Sequence, residues 1–327
     1  MTSFEPVYWK PPKAPGLVGV YEENDRLRSA QRWETGGLGP EDVAVDRHGN
    51  VFTGLADGTI LRFGRSGGTP ENIANAGGRP LGLEILGDGE LVVCNADLGL
   101  QRVTVDGEVS VLADGFEDQP FKFTNNAAVA SDGTIYFTDT STRWSIHEYI
   151  NDLLEGQETG RLFARRTDGS LDVILDGLQF ANGVALDPDE ASLFVAETSR
   201  YRIRRHWIDG PKAGTAEVFI DNLPGFPDNL SLAEGILWTA APSPRQAMVD
   251  FLQPRPWLRK VSYRLPDSLK PKPLRHAIVL GFDMDGNVAH NLQDSSGALA
   301  ITTSARYHNG RLFIGTLTEP TLAVHEL

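Results

Sequence analysis

Cysteine is nearly absent from this 327-residue chain: Cys94 stands alone, so no internal disulfide can form. No uninterrupted apolar run approaches the roughly 20 residues that a membrane-spanning helix needs. The opening Met1-Thr2-Ser3-Phe4-Glu5-Pro6 has neither a basic stretch nor an apolar stretch of the secretory kind. These absences lead us to expect a cytoplasmic protein. A run of Lys or Arg is also missing, and 30 basic residues against 44 acidic ones leave a net charge of −14. Such a surface is repelled by phosphate backbones and anionic headgroups, so the expected partner is a small molecule, with no nucleic acid and no membrane. A neutral or cationic ligand, or a metal ion, suits the charge better.

Helical spacing of apolar residues is scarce too. What is present is a recurring phrase of two short alternating runs joined by a tight turn, the pattern of antiparallel strands. Asp42-Val43-Ala44-Val45 passes through His48-Gly49-Asn50 to Val51-Phe52. The same phrase returns at Leu83-Glu84-Ile85, Ala127-Ala128-Val129, Val184-Ala185-Leu186, Leu230-Ser231-Leu232 and Ile301-Thr302-Thr303. Most copies continue into a third and a fourth strand, as in Arg202 to His206 and Ala216 to Ile220. Six copies of a four-stranded unit that buries its faces only against its neighbours predict an all-β fold, a six-bladed β-propeller spanning residues 1–327 as one domain. A strand near Arg26 to Glu34 is expected to complete the last blade and close the ring. Two inserts, at about 142–159 and 243–273, interrupt the period and are expected to form lids or rim loops.

Aligning the six copies on their turns makes the residue at the head of each first strand comparable. It is Glu41, Leu81, Asn125, Asn182, Asp228 and about Thr302, with a one-residue shift needed in the fourth and fifth copies. Singly, each polar member suits a turn at the head of a strand. Four side-chain oxygens at equivalent places of a ring lining a channel are also what a hard divalent cation such as Ca²⁺ takes. With no His or Cys among them, Zn²⁺ and Cu²⁺ fit poorly.

Longer motifs carry a resemblance. Phe180-Ala181-Asn182-Gly183-Val184-Ala185-Leu186, Glu197-Thr198 with Arg202-Ile203-Arg204-Arg205, Gly210-Pro211-Lys212-Ala213-Gly214 and Asn222-Leu223-Pro224-Gly225-Phe226-Pro227-Asp228-Asn229 are similar to the strictosidine synthase-like branch of the gluconolactonase/paraoxonase superfamily, within the senescence marker protein/gluconolactonase-like group. Gly78-Arg79-Pro80-Leu81-Gly82-Leu83 and Ile135-Tyr136-Phe137-Thr138-Asp139 extend the likeness to roughly residues 40 to 325. The resemblance implies a six-bladed propeller with a catalytic Ca²⁺, or another divalent cation, held by Glu41, Asn125, Asn182 and Asp228, with Asn229 as a weaker candidate. It also implies Asp228 as the catalytic base or nucleophile. Two departures stand out: the place of a paraoxonase channel histidine holds Leu81, and Ala300 to Ser304 lacks the glutamate that strictosidine synthase uses for condensation. The leading expectation is a Ca²⁺-dependent lactonase or esterase. The alternatives are a bond-forming enzyme on the same scaffold, or a ligand-binding propeller with a structural cation. Rim candidates for contact with a substrate are Arg79, Phe123, Arg143, Trp144, His147 and Phe226. Gly64-Arg65-Ser66-Gly67-Gly68 and Asp283-Met284-Asp285-Gly286-Asn287 read as turns, since the first lacks the following helix of a nucleophile elbow and the second is short of a full Ca²⁺ loop.

Overall fold

The structure, a computed structural model, describes residues 3–87, 89–266 and 272–327. Six four-stranded antiparallel sheets form the blades of a six-bladed propeller. Blade 1 is built from Val43–Val45, Val51–Gly54, Thr59–Phe63 and Glu71–Asn75, blade 2 runs from Pro80–Leu86 to Val109–Ala113, and blade 3 from Thr124–Val129 to Leu171–Leu178. Blade 4 extends from Ala181–Leu186 to Ala216–Ile220 and blade 5 from Leu230–Ala233 to Val288–Asp294. Blade 6 combines Thr302–His308, Arg311–Thr316 and Thr321–Glu326 with the N-terminal strand Gln31–Glu34, which pairs antiparallel to Thr321–Glu326. The ring therefore closes by joining the two ends of the chain, as the repeat count required. Trp33 of that strand is wedged against Phe63 of blade 1 and Phe313 of blade 6, with ring centroids 5.4 and 5.7 Å away.

The period-2 alternation explains why the blades need one another. Val43, Val51, Leu61 and Phe63 turn toward blade 6 and pack on Phe313, Leu322 and Val324. Their neighbours Ala44, Phe52 and Ile60 turn the other way, onto Leu83, Leu91 and Val93 of blade 2. Every blade thus offers two apolar faces, and burial of each face contributes about 25 cal/mol per Å² only once its neighbour is in place. Cys94 is buried in one such interface, with Phe137 and Phe163 of blade 3, and is a free thiol.

Both inserts become helical caps at one end of the channel. The first contains a single 3₁₀ turn, Ile146–Glu148, followed by α1, Tyr149–Glu155. The second holds α2, Ala247–Leu252, and α3, Pro256–Tyr263. The Gly64 to Gly68 segment is the link between two strands of blade 1, and Asp283 to Asn287 is a tight turn in which the Asp283 carboxylate accepts the backbone N–H groups of Asp285 and Asn287.

Candidate functional site

Glu41, Asn125, Asn182 and Asp228 each stand two residues before the first regular strand pair of their blade, at Val43, Ala127, Val184 and Leu230. No shift is needed in the fourth and fifth blades. In blades 2, 3 and 4 a bulge at this point separates one ladder pair from the next and turns a side chain into the channel. Blade 2 presents Leu81 there. In blade 6 the bulge falls on Thr303, one residue beyond the expected Thr302, and both hydroxyls are spent on backbone carbonyls, Thr303 on Glu41 at 2.6 Å and Thr302 on Ala241 and Ile278 at 3.3 Å. Inner strands of adjacent blades touch so closely that a Cβ on Gly183 would fall on the backbone of Asn229 and Leu230. Only glycine fits there.

The residues that follow the ring residues tie the channel together one layer deeper. Asp42 accepts the backbone N–H of Leu83 at 3.1 Å and an Asn126 amide proton at 3.2 Å, while the Asn126 oxygen accepts Val184 N–H at 2.9 Å. Arg306 pairs with Glu84 at 2.5 Å and also donates to the carbonyl of Val43. These polar side chains are spent on structure.

The ring above them is not. Glu41, Leu81, Asn125, Asn182 and Asp228 line one cavity beneath the two caps. The Asn125 amide nitrogen donates to Thr140 Oγ1 at 3.0 Å, and that hydroxyl donates onward to Ala181 O at 2.7 Å. Asn182 repeats the device with Thr198, whose hydroxyl donates to Pro227 O. Asn229 donates to Glu41 Oε1 at 2.9 Å. With each amide's donor end held in this way, Asn125 Oδ1, Asn182 Oδ1, Asn229 Oδ1 and Glu41 Oε2 are left buried without a hydrogen-bond partner among the described residues. Leaving even one buried acceptor unsatisfied costs about 1–3 kcal/mol. Burial pushes the Glu41 carboxyl well above its usual range, and Asp228 and Asp42 add to the rise. Burial also pushes Asp228 up to about 8, against a hydrogen bond from Asn182. Arg79, the nearby guanidinium, favours the Glu41 carboxylate without cancelling the rise.

The constellation lacks a positive charge that accepts several oxygens at once. A hard divalent cation would supply it, and Glu41, Asn125, Asn182, Asp228 and Asn229 are the residues that could hold one. The set is amide-rich: among the described residues no three His, Cys, Asp or Glu side chains gather as a metal cluster.

The rim candidates divide. Phe123 and Phe226 line the cavity, joined by Phe180, whose ring meets Phe123 edge-on at 5.6 Å. Arg79 is buried, bonded to Gly39 O, and does not line the cavity. Arg143 and Trp144 also lie outside the lining: both donate to Glu155, and Arg143 donates to Ser3 O as well. His147 pairs with Asp97 at 3.0 Å on the outer surface. Residues that sequence reasoning passed over include Tyr149, Ile150 and Leu153 of the first cap and Val249 and Gln253 of the second. Thr140 and Thr198 were also passed over, although Asp139-Thr140 and Glu197-Thr198 recur at matching strand ends and could have marked them.

Comparison with known proteins gives the family and the fold. A strictosidine synthase family model matches residues 125–211, and the N-terminal model of strictosidine synthase-like proteins matches residues 19–63. The adipocyte plasma membrane-associated protein of Salmo salar is 36% identical over 96% of this chain and 82% of its own length. Its Homo sapiens counterpart is 35% identical over 97% and 82%. Strictosidine synthase-like 10 of Arabidopsis thaliana is 33% identical over 90% and 86%. The chain belongs to the strictosidine synthase-like family. Solved structures agree with the fold of this strictosidine synthase-like protein. A gluconolactonase from Xanthomonas campestris superposes with a TM-score of 0.67 at 19% identity, covering 91% of this chain and 90% of its own. Regucalcin from Agrobacterium tumefaciens, described as a calcium-binding protein, superposes with a TM-score of 0.62 at 16% identity, covering 90% and 94%.

Proposed function

We propose that the protein is a hydrolase of lactones or esters, with Ca²⁺ or a similar divalent cation at the floor of its channel. The observation that carries this reading is the ring of buried, partnerless oxygens on Glu41, Asn125, Asn182 and Asn229 beside Asp228, at the base of a mostly apolar cavity. A gluconolactonase and a calcium-binding protein among the structural neighbours support it at the level of the scaffold. When bound, the cation would supply Lewis-acid polarisation of a substrate carbonyl and keep Asp228 ionised.

The chain's own groups do the rest. Phe123, Phe180 and Phe226 exclude water and hold the apolar part of a small-molecule substrate, leaving its carbonyl at the polar floor. Asp228 accepts a proton from the attacking water. Hydrolysis then adds water across the acyl C–O bond, releasing an acid and an alcohol, or one hydroxy acid from a lactone. Tyr149 lines the same cavity, and its phenol is pushed up by burial and by Asp228. It stays protonated and is available as a hydrogen-bond donor.

The match of residues 125–211 to strictosidine synthase favours a second reading, a bond-forming enzyme. Ala300 to Ser304 carries no carboxylate for that chemistry. One assay separates the two: turnover of a panel of γ- and δ-lactones and aryl esters, with Ca²⁺ and then with chelator. We expect hydrolysis that chelation removes and that Asp228→Ala lowers at least about 100-fold in kcat. No turnover on any substrate would sink the hydrolase reading, and turnover indifferent to metal removal would sink the cation's part in it.

A further inference from the structure

Total charge argues against an anionic surface as a partner, but the second cap departs locally from the rest of the molecule. Over residues 245–264 five Lys and Arg accompany a single acidic residue, in a chain whose net charge is −14; Arg245 and Arg259 turn inward, and Arg255, Lys260 and Arg264 reach the surface. One helix of this cap, α3, is also inside out. The side of α3 that faces the protein buries Arg259 and Ser262, and the two Nη groups of Arg259 donate to the carbonyls of Leu154, Glu155, Gln253 and Val7. Holding Arg259 inward turns the opposite stripe outward: Trp257 and Val261, one helical turn apart, are 67% and 52% exposed. In α2, Met248 and Phe251 are 60% and 51% exposed. Lys260 and Arg264 are exposed on the same cap, and the Arg255 guanidinium lies 3.8 Å over the Phe251 ring. No helix among the described residues is long and apolar enough to cross a membrane, so any contact of these helices with lipid lies along the surface.

From this juxtaposition we infer that α2 and α3 form an interfacial docking surface for an anionic lipid membrane, with Phe251, Trp257 and Val261 entering the headgroup boundary and Lys260 and Arg264 meeting the phosphates. Aromatic and aliphatic tips ringed by basic residues are the makeup of helices that lie in a membrane interface. The acidic remainder of the molecule does not prevent this, because charges more than about 8 Å from the contact are screened at physiological salt. A second copy of the chain is a poorer occupant, since a two-fold dimer through this patch would set its basic residues against their own copies. The same cap contributes Val249 and Gln253 to the cavity wall, so docking would bring the channel mouth to the lipid surface. The inference does not depend on the hydrolase reading.

The test is flotation of the full chain with phosphatidylcholine vesicles, with and without phosphatidylserine, across a salt series. Binding is expected with phosphatidylserine, weakening as salt rises. Phe251→Ser with Trp257→Ser, and separately Lys260→Glu with Arg264→Glu, should each lower it at least about tenfold while leaving the melting transition in place. Trp257→Phe, a conservative change, keeps the test open if a harsher variant fails to fold: brominated lipid should quench the wild-type tryptophan emission and quench this variant measurably less. Absence of binding to phosphatidylserine vesicles at low salt overturns the inference, as does binding that ignores lipid charge or survives both double variants. Concentration-dependent self-association that Phe251→Ser with Trp257→Ser abolishes, with no vesicle binding, would give the surface to a second copy instead.

Discussion

Glu41 and Glu155 are both buried at the same end of the propeller, at 3% and 1% exposure, and the chain treats them in opposite ways. Glu155, at the end of α1, accepts four donors: Arg143 Nε at 2.7 Å, Arg143 Nη2 at 2.9 Å, Trp144 Nε1 at 2.7 Å and the Glu5 backbone N–H at 2.6 Å. Burial alone would raise its pKa, but the hydrogen bonds from Arg143, Glu5 and Trp144 outweigh that and leave it below the usual range. Among the described residues Glu41 accepts only the Asn229 amide and keeps one oxygen without a partner, and it is pushed well up. One carboxylate is finished by the fold and the other is not. The cap residue fastens the first insert to the N-terminal segment, and the floor residue keeps an acceptor that the described residues leave unmet.

Breaking the finished site should have the larger effect. Glu155→Gln removes the charge that Arg143 pairs with, leaves that guanidinium one-quarter exposed without its carboxylate, and should cost roughly 2–3 kcal/mol. Thermal unfolding checks this through a lower Tm, and an unchanged Tm would remove Glu155 from the closure of the cap.

The same residue gives a smaller, pH-dependent signature. Because its folded pKa lies below the ordinary value of 4.5, the stability it contributes is present above that pH and is lost as pH falls through the lower folded value. The difference in Tm between wild type and Glu155→Gln should therefore shrink below about pH 4.5. A difference that holds steady into acid would show that the carboxylate's charge is not the source.

Glu41→Gln sharpens the contrast from the other side. In chelated protein the raised Glu41 carboxyl gives no ionic stabilisation to lose, so this variant should melt no lower than wild type near neutral pH. A marked fall in Tm would mean that Glu41 is a structural residue like Glu155.

The sequence displayed the ring more clearly than the cap, and the reason is physical. Glu41, Asn125, Asn182 and Asp228 occupy a repeated backbone position, so aligning the turns of the sequence brings them into one column. The strand Gln31–Glu34 was legible through the need to close a ring. Arg143, Trp144 and His147 read as rim contacts because they lie in an insert, where no repeat fixes direction. Their partners are Glu155, Ser3 and Asp97, and the bonds to Ser3 and Asp97 join residues 140 and 50 positions apart. The inside-out helix α3 of the second insert is hidden for a similar reason. Which face of α3 is buried depends on Arg259 finding carbonyls on Leu154, Glu155 and Val7, and no local pattern announces that. Thr140 and Thr198 are the intermediate case, repeated at matching strand ends and readable only once the orientation of Asn125 and Asn182 is known.

The central claim, that the floor of the channel is built to hold a divalent cation, is tested most directly by calorimetric titration of the metal-stripped protein with Ca²⁺. Wild type should bind one ion with a matching rise in Tm, and Glu41→Gln and Asn182→Ala should each lose affinity by at least about tenfold while remaining folded. Absence of binding heat and of any Tm shift in wild type, or equal binding by both variants, would contradict the account.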